Sequence, residues 1–89
     1  MAVFMVERRF ADQLDVSPQA AVAINAINDD AGVRWLSSFL SVDKRKTFCL
    51  YEADDIDAIR TAAVRAGLPA DVIVELSGTI APDGAFAPM

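Results

Sequence analysis

The stretch "VRWLSSFLSVDKRKTFCLYEA", Val33 to Ala53, decides the fold. Two runs rich in β-branched and aromatic residues flank a short polar segment, so Val33–Val42 and Thr47–Ala53 are predicted strands joined by a turn over Asp43–Lys46. So short a connection makes the two strands antiparallel neighbours. The basic cluster Lys44-Arg45-Lys46 then belongs to a solvated hairpin turn rather than to a phosphate site.

Helical signals lie on both sides of this hairpin. Upstream, Ser17-Pro18 supplies a capping side chain followed by a proline at the first helical position, where its missing N–H costs no hydrogen bond. Ala20, Ile24, Ile27 and Ala31 form one apolar face, and Gly32 ends the helix near Asp30. Downstream, Asp54 or Asp55 caps a second helix with an acidic first turn and an apolar face of Ile56, Ile59, Ala63 and Ala66. The run "RAGLP", Arg65 to Pro69, closes it with a glycine suited to the left-handed conformation and a proline that prevents continuation. Outermost are a first strand over residues 2–10 and a fourth over Ala70–Ile80, which ends before Pro82.

The resulting order, β-α-β-β-α-β, predicts an α+β fold of the ferredoxin-like type: a four-stranded antiparallel sheet with both helices on one face. Residues 1–81 form one domain and 82–89 a short C-terminal tail. Both alternating sets of the central strands hold apolar residues. With simple alternation, Val33, Trp35, Ser37 and Phe39 oppose Arg34, Leu36, Ser38 and Leu40, while Phe48 and Leu50 oppose Cys49 and Tyr51. An uncovered apolar sheet face is a liability, so the sequence predicts a homodimer packed sheet to sheet, as in dimeric α/β barrels.

With 89 residues there is room for one modest core, and a single cysteine excludes an internal disulfide. No apolar run approaches the roughly 18 residues of a membrane span. Charge appears at Glu7, Arg8 and Arg9 before any long apolar region, unlike a secretion signal, so a cytoplasmic location is expected. A net charge of −5 disfavours nucleic acid, whose phosphates reward clustered cations.

Glu7 is the odd residue in an apolar strand. A carboxylate there needs a partner or a solvated cavity. It serves either as a base or ligand in a sheet-face pocket, or as the partner of Arg9, Arg34 or a second subunit. Cys49 is a small buried hydrophobe unless a cation, helix N-terminus or metal lowers its pKa, and alternation offers only Arg34 or Arg9 nearby. Tyr51 shares the face of Cys49, whereas Glu52 lies with Phe48 and Leu50 on the other. Trp35 and Phe39 could stack on a flat ligand, although large strand aromatics more often serve core or interface. Asp54, Asp55 and Asp57 are explained by helix capping. Without histidine no Ser-His-Asp or Cys-His arrangement exists, and glycine-rich phosphate loops are absent.

The segment Arg34–Leu76, with Glu7 upstream, Trp35 followed by Ser38, Asp43, the run Cys49-Leu50-Tyr51-Glu52-Ala53 and Ala66-Gly67-Leu68-Pro69-Ala70, resembles the domain of unknown function family numbered 4242. That resemblance implies a small ferredoxin-like protein, some members being described as nickel-binding. Relatives often carry histidine, including in the helix where this chain has Thr61, whereas this chain has none; nickel favours imidazole, so the metal function transfers poorly. What remains for a divalent ion is Cys49 with carboxylates such as Glu7, Glu52 and Asp54. Candidate ligand-binding residues are Glu7, Arg34, Trp35, Ser38 and Tyr51. The leading expectation is therefore a cytoplasmic homodimeric binding or accessory protein for a small molecule or metal ion. Its alternative is a dimeric α/β-barrel enzyme of monooxygenase or isomerase type, using Glu7, Arg34 and Tyr51. Nucleic acid and membrane are not expected partners, and RNA stacking on Phe48 or Tyr51 is disfavoured by the acidic charge.

Overall fold

A computed structural model describes residues 1–89. Its elements are β1 (Ala2–Arg9), α1 (Pro18–Asp30), β2 (Arg34–Leu40), β3 (Lys46–Ala53), α2 (Ile56–Ala66), β4 (Val72–Leu76), β5 (Gly78–Ile80) and β6 (Phe86–Pro88). The first four strands in space run β2-β3-β1-β4, every neighbouring pair antiparallel. The protein is thus an α+β fold of two helices and a four-stranded antiparallel sheet. No helix is long and apolar enough to cross a membrane.

The sequence signals act as local chemistry requires. Ser17 accepts the Ala20 N–H at 3.1 Å and Asp55 accepts the Ala58 N–H at 2.9 Å, so each helix begins on a satisfied cap. Gly67 takes φ of 68° at the end of α2. There Leu68 N–H returns to the Ala63 carbonyl and Gly67 N–H to that of Val64, the paired bonds of a Schellman ending. In the β2–β3 turn the Asp43 carboxylate accepts from the Ser41 hydroxyl at 2.6 Å and from the Arg45 N–H at 3.1 Å. These bonds, the Ser41 hydroxyl first, hold the Asp43 carboxyl below its ordinary value.

The core lies on the helix side of the sheet. Phe4, Val6 and Arg8 of β1 alternate inward and stand opposite Tyr51, Cys49 and Thr47 of β3. Ile59, Ala62 and Ala63 cover them from α2. Fully burying a side chain such as Phe4, Val6 or Ile59 contributes roughly 1.5–3 kcal/mol each. The two helices contribute unequally: α1 buries only Asn28, while Ile24 and Ile27 are half-covered and Ala20 is exposed.

Two features depart from the sequence reading. A bulge between Trp35 and Ser37 sets Leu36 out of register, so Trp35, Ser38 and Leu40 pair with Tyr51, Cys49 and Thr47, and Phe39 pairs with Phe48. Strict alternation had grouped Trp35 with Ser37 and Phe39; one extra residue reverses the phase beyond it. The expected fourth strand also divides at Ser77. Beyond it β5 and β6 form a separate hairpin over residues expected as a tail, in register Gly78↔Pro88 and Ile80↔Phe86. Pro82-Asp83-Gly84 does not merely stop a strand but turns the chain, with Asp83 accepting the Ala85 N–H and Gly84 at φ of 88°.

Gly67→Ala should lower stability by about 1–2 kcal/mol in urea denaturation, the cost of a left-handed non-glycine residue. Since no atom lies within 4 Å of the added Cβ, the loss is conformational rather than steric. An unchanged midpoint would contradict this account of the helix end.

Candidate functional site

Small residues on α1 leave space between that helix and the sheet. The loop after β1 is held to the β2–β3 turn by Phe10 N–H to the Arg45 carbonyl and Leu14 N–H to that of Lys44, at 2.8 and 2.7 Å. Between this loop, α1 and the inward side of β2 and β3 lies a cavity of about 540 Å³, within the range of small-molecule sites. Eleven of its sixteen lining residues are hydrophobic, which suits an apolar occupant.

Polar groups converge on its inner wall. The Trp35 indole N–H donates to the Ser38 hydroxyl at 2.8 Å, a bond that the bulge makes possible by bringing both side chains to one face. Arg8 is 5% exposed; it donates through Nη1 to the Pro69 carbonyl and through Nη2 to the Tyr51 hydroxyl at 3.1 Å. Its carbon Cζ lies 5.7 Å from the Tyr51 ring centroid, within cation–π range. None of the four ion pairs includes Arg8, and its Nε–H has no partner. Cys49 and Tyr51 are each 4% exposed, and the Cys49 thiol points to the Thr47 hydroxyl at 3.6 Å. Burial pushes the Tyr51 phenol above its ordinary 10.0, while the charge and hydrogen bond of Arg8 pull the other way.

The residues singled out in the sequence divide between the two faces. Trp35, Ser38, Tyr51 and Cys49 line the cavity together. Glu7, Arg34 and Glu52 lie on the opposite face, where Glu7 pairs with Arg9 at 2.7 Å and Arg34 with Glu52 at 3.4 Å. A metal set of Cys49, Glu7 and Glu52 is therefore not brought together, nor is a catalytic trio of Glu7, Arg34 and Tyr51. Phe39 belongs to the outer register and touches the cavity from the edge strand, so it does not sandwich a ligand against Trp35 from one face. Neither Arg34 nor Arg9 is the basic neighbour of Cys49's face; that is Arg8, whose inward position follows from its alternation with Phe4 and Val6.

The family model described as "Nickel responsive protein SCO4226-like" matches residues 4–76. The chain belongs to the SCO4226-like family. The description agrees with the nickel association implied by the sequence resemblance, and it points to a small accessory or metal-related protein. Among solved structures, the crystal structure of SCO4226 from Streptomyces coelicolor A3(2) is similar at 27% identity and a TM-score of 0.73, covering 84% of this chain and 95% of that one. No curated protein matches the chain. The chemistry of nickel does not fit the residues present here: histidine is absent, and no three Cys, Asp or Glu side chains are grouped to hold an ion.

Tyr51 is the only tyrosine, so the phenolate absorbance of the intact protein reports it alone. Its midpoint should lie above 10.0 in the folded protein and return to about 10 in denaturant. The sign follows from the raised folded value: this contribution to stability is complete below pH 10 and is lost as pH rises through the folded pKa. A native midpoint at or below 10.0 would show that burial does not outweigh the charge and hydrogen bond of Arg8 at Tyr51.

Proposed function

We propose that the protein is a small ligand-binding or accessory member of its family, and that the helix-side cavity is its binding site. The observation that carries this reading is the convergence of Trp35, Ser38, Arg8 and Tyr51 on the inner wall of a mostly apolar cavity of about 540 Å³. Such a combination, apolar lining with a few fixed polar groups, is what small-molecule sites share. The family's nickel description is not carried to a metal site in this chain, because the thiol and the carboxylates face opposite ways. The lone, buried cysteine is in keeping with a cytoplasmic setting, where thiols stay reduced.

The order β-α-β-β-α-β with strands arranged β2-β3-β1-β4 supports reading residues 2–76 as a ferredoxin-like plait. Its second sheet face supports a homodimer. Val3, Met5, Phe48, Leu50, Val74 and Leu76 share that face, opposite the one on which the helices pack. Val74 is 48% exposed and Phe39, also on that face, 58%. The charged groups there, Glu7 with Arg9 and Arg34 with Glu52, neutralise one another within the chain and flank the apolar centre. A second copy packed sheet to sheet would cover this centre without burying an unpaired charge and would leave the helix-side cavity open.

Two measurements test these readings. The neutral dye Nile red should bind one per chain with a fluorescence rise, and Ala20→Phe, which fills the cavity from an exposed helix position, should weaken that binding at least tenfold. Undiminished binding to the variant overturns the cavity as the site. In sedimentation equilibrium at micromolar concentration the protein should have twice its 9.6 kDa chain mass, and Leu50→Glu should halve it; a wild-type species of single-chain mass rejects the dimer.

A further inference from the structure

We infer that the cavity takes a small organic monocarboxylate with an apolar body, whose charge is met by Arg8. The inference rests on the cavity being the ligand site and names the chemical class it would accept. Arg8 carries a permanent charge, since guanidinium does not deprotonate in proteins, and it is almost wholly buried. Buried charges are normally paired. Here the guanidinium donates to two neutral oxygens, those of Pro69 and Tyr51, while its Nε–H is shielded and unpartnered. No protein carboxylate forms an ion pair with it, although the chain holds 13 acids against 8 cations.

The cavity's own charges agree. Arg8 and Lys44 border it with one acid, Asp15, so its local balance is positive in a chain of net charge −5. An anion entering there gains a desolvated cation whose attraction is strengthened by the apolar surroundings. Size and lining select the rest of the molecule. Leu14, Ile24, Trp35, Leu40 and Leu68 offer apolar surface that an inorganic ion would leave uncovered. A phosphate monoester, mostly dianionic at neutral pH, would meet Asp15 with only one buried cation to oppose its second charge. One carboxylate on a hydrophobic or aromatic frame satisfies both halves of the site, and the guanidinium fork suits a carboxylate.

Calorimetry with phenylacetate, benzoate and octanoate, against neutral phenylacetamide, tests this. At least one carboxylate should bind one per chain and raise Tm, with phenylacetate at least tenfold tighter than phenylacetamide. Arg8→Met, which replaces a buried charge by an apolar chain of similar length, should abolish that preference, and Arg8→Lys should retain it in part. Equal affinity for phenylacetate and phenylacetamide, or a preference unchanged in Arg8→Met, overturns the carboxylate assignment while leaving the cavity as a ligand site. Absence of heat and of any Tm shift with all four probes overturns the assignment, and undiminished Nile red binding in Ala20→Phe separately overturns the site itself.

Discussion

The register between β1 and β3 is the constraint on which the rest of the molecule depends. By setting Val6 opposite Cys49, it sends Phe4, Val6 and Arg8 to the same side as Tyr51, Cys49 and Thr47, and leaves Met5 and Glu7 with Leu50 and Phe48 on the other. A slip of one residue would exchange these sets, placing Glu7 under the helices and Phe4 in solvent. The two central strands therefore determine both the contents of the core and the character of each face. Arg8 belongs to that core set although it is charged, and its bonds to Tyr51 and Pro69 join β1, β3 and the connection after α2 at one point.

The unequal helices explain why the vacant space lies where it does. α2 presents Ile59, Ala62 and Ala63 closely to the sheet, and its left-handed ending fixes where Pro69 stands. α1 offers smaller coverage, with Ala20 and Ile24 over the edge strand β2 rather than over the centre. A core of this size cannot fill both halves of the sheet equally. The half under α1 is the one left open, and the loop after β1 encloses it instead.

Much of this was legible in the sequence because its signals are local. Ser17-Pro18, the acidic start of α2 and the run ending at Pro69 each carry their own hydrogen-bonding logic, and the structure follows them closely. The separation of Cys49 and Tyr51 from Glu52 was likewise readable, since alternation holds throughout β3. The phase of β2 was not, because the bulge at Leu36 has no glycine or proline to announce it and arises from pairing with β3. The inward place of Arg8 is illegible for a related reason: a charged residue at the end of a strand reads as solvated, and only the later elements, through Pro69 and Tyr51, bury it. The C-terminal hairpin was hidden because Pro82 looks like a terminator until Asp83 and Gly84 are seen to complete a turn.

The bulge has an optical consequence. Trp35 and Tyr51 are the chain's only indole and only phenol, and the register across β2 and β3 makes them direct neighbours on the cavity wall. Excitation absorbed by Tyr51 therefore has a single acceptor close at hand, and nearly all near-ultraviolet signal from this protein originates in one patch of the cavity wall. The molecule carries its own spectroscopic window, opening onto that wall and onto nothing else.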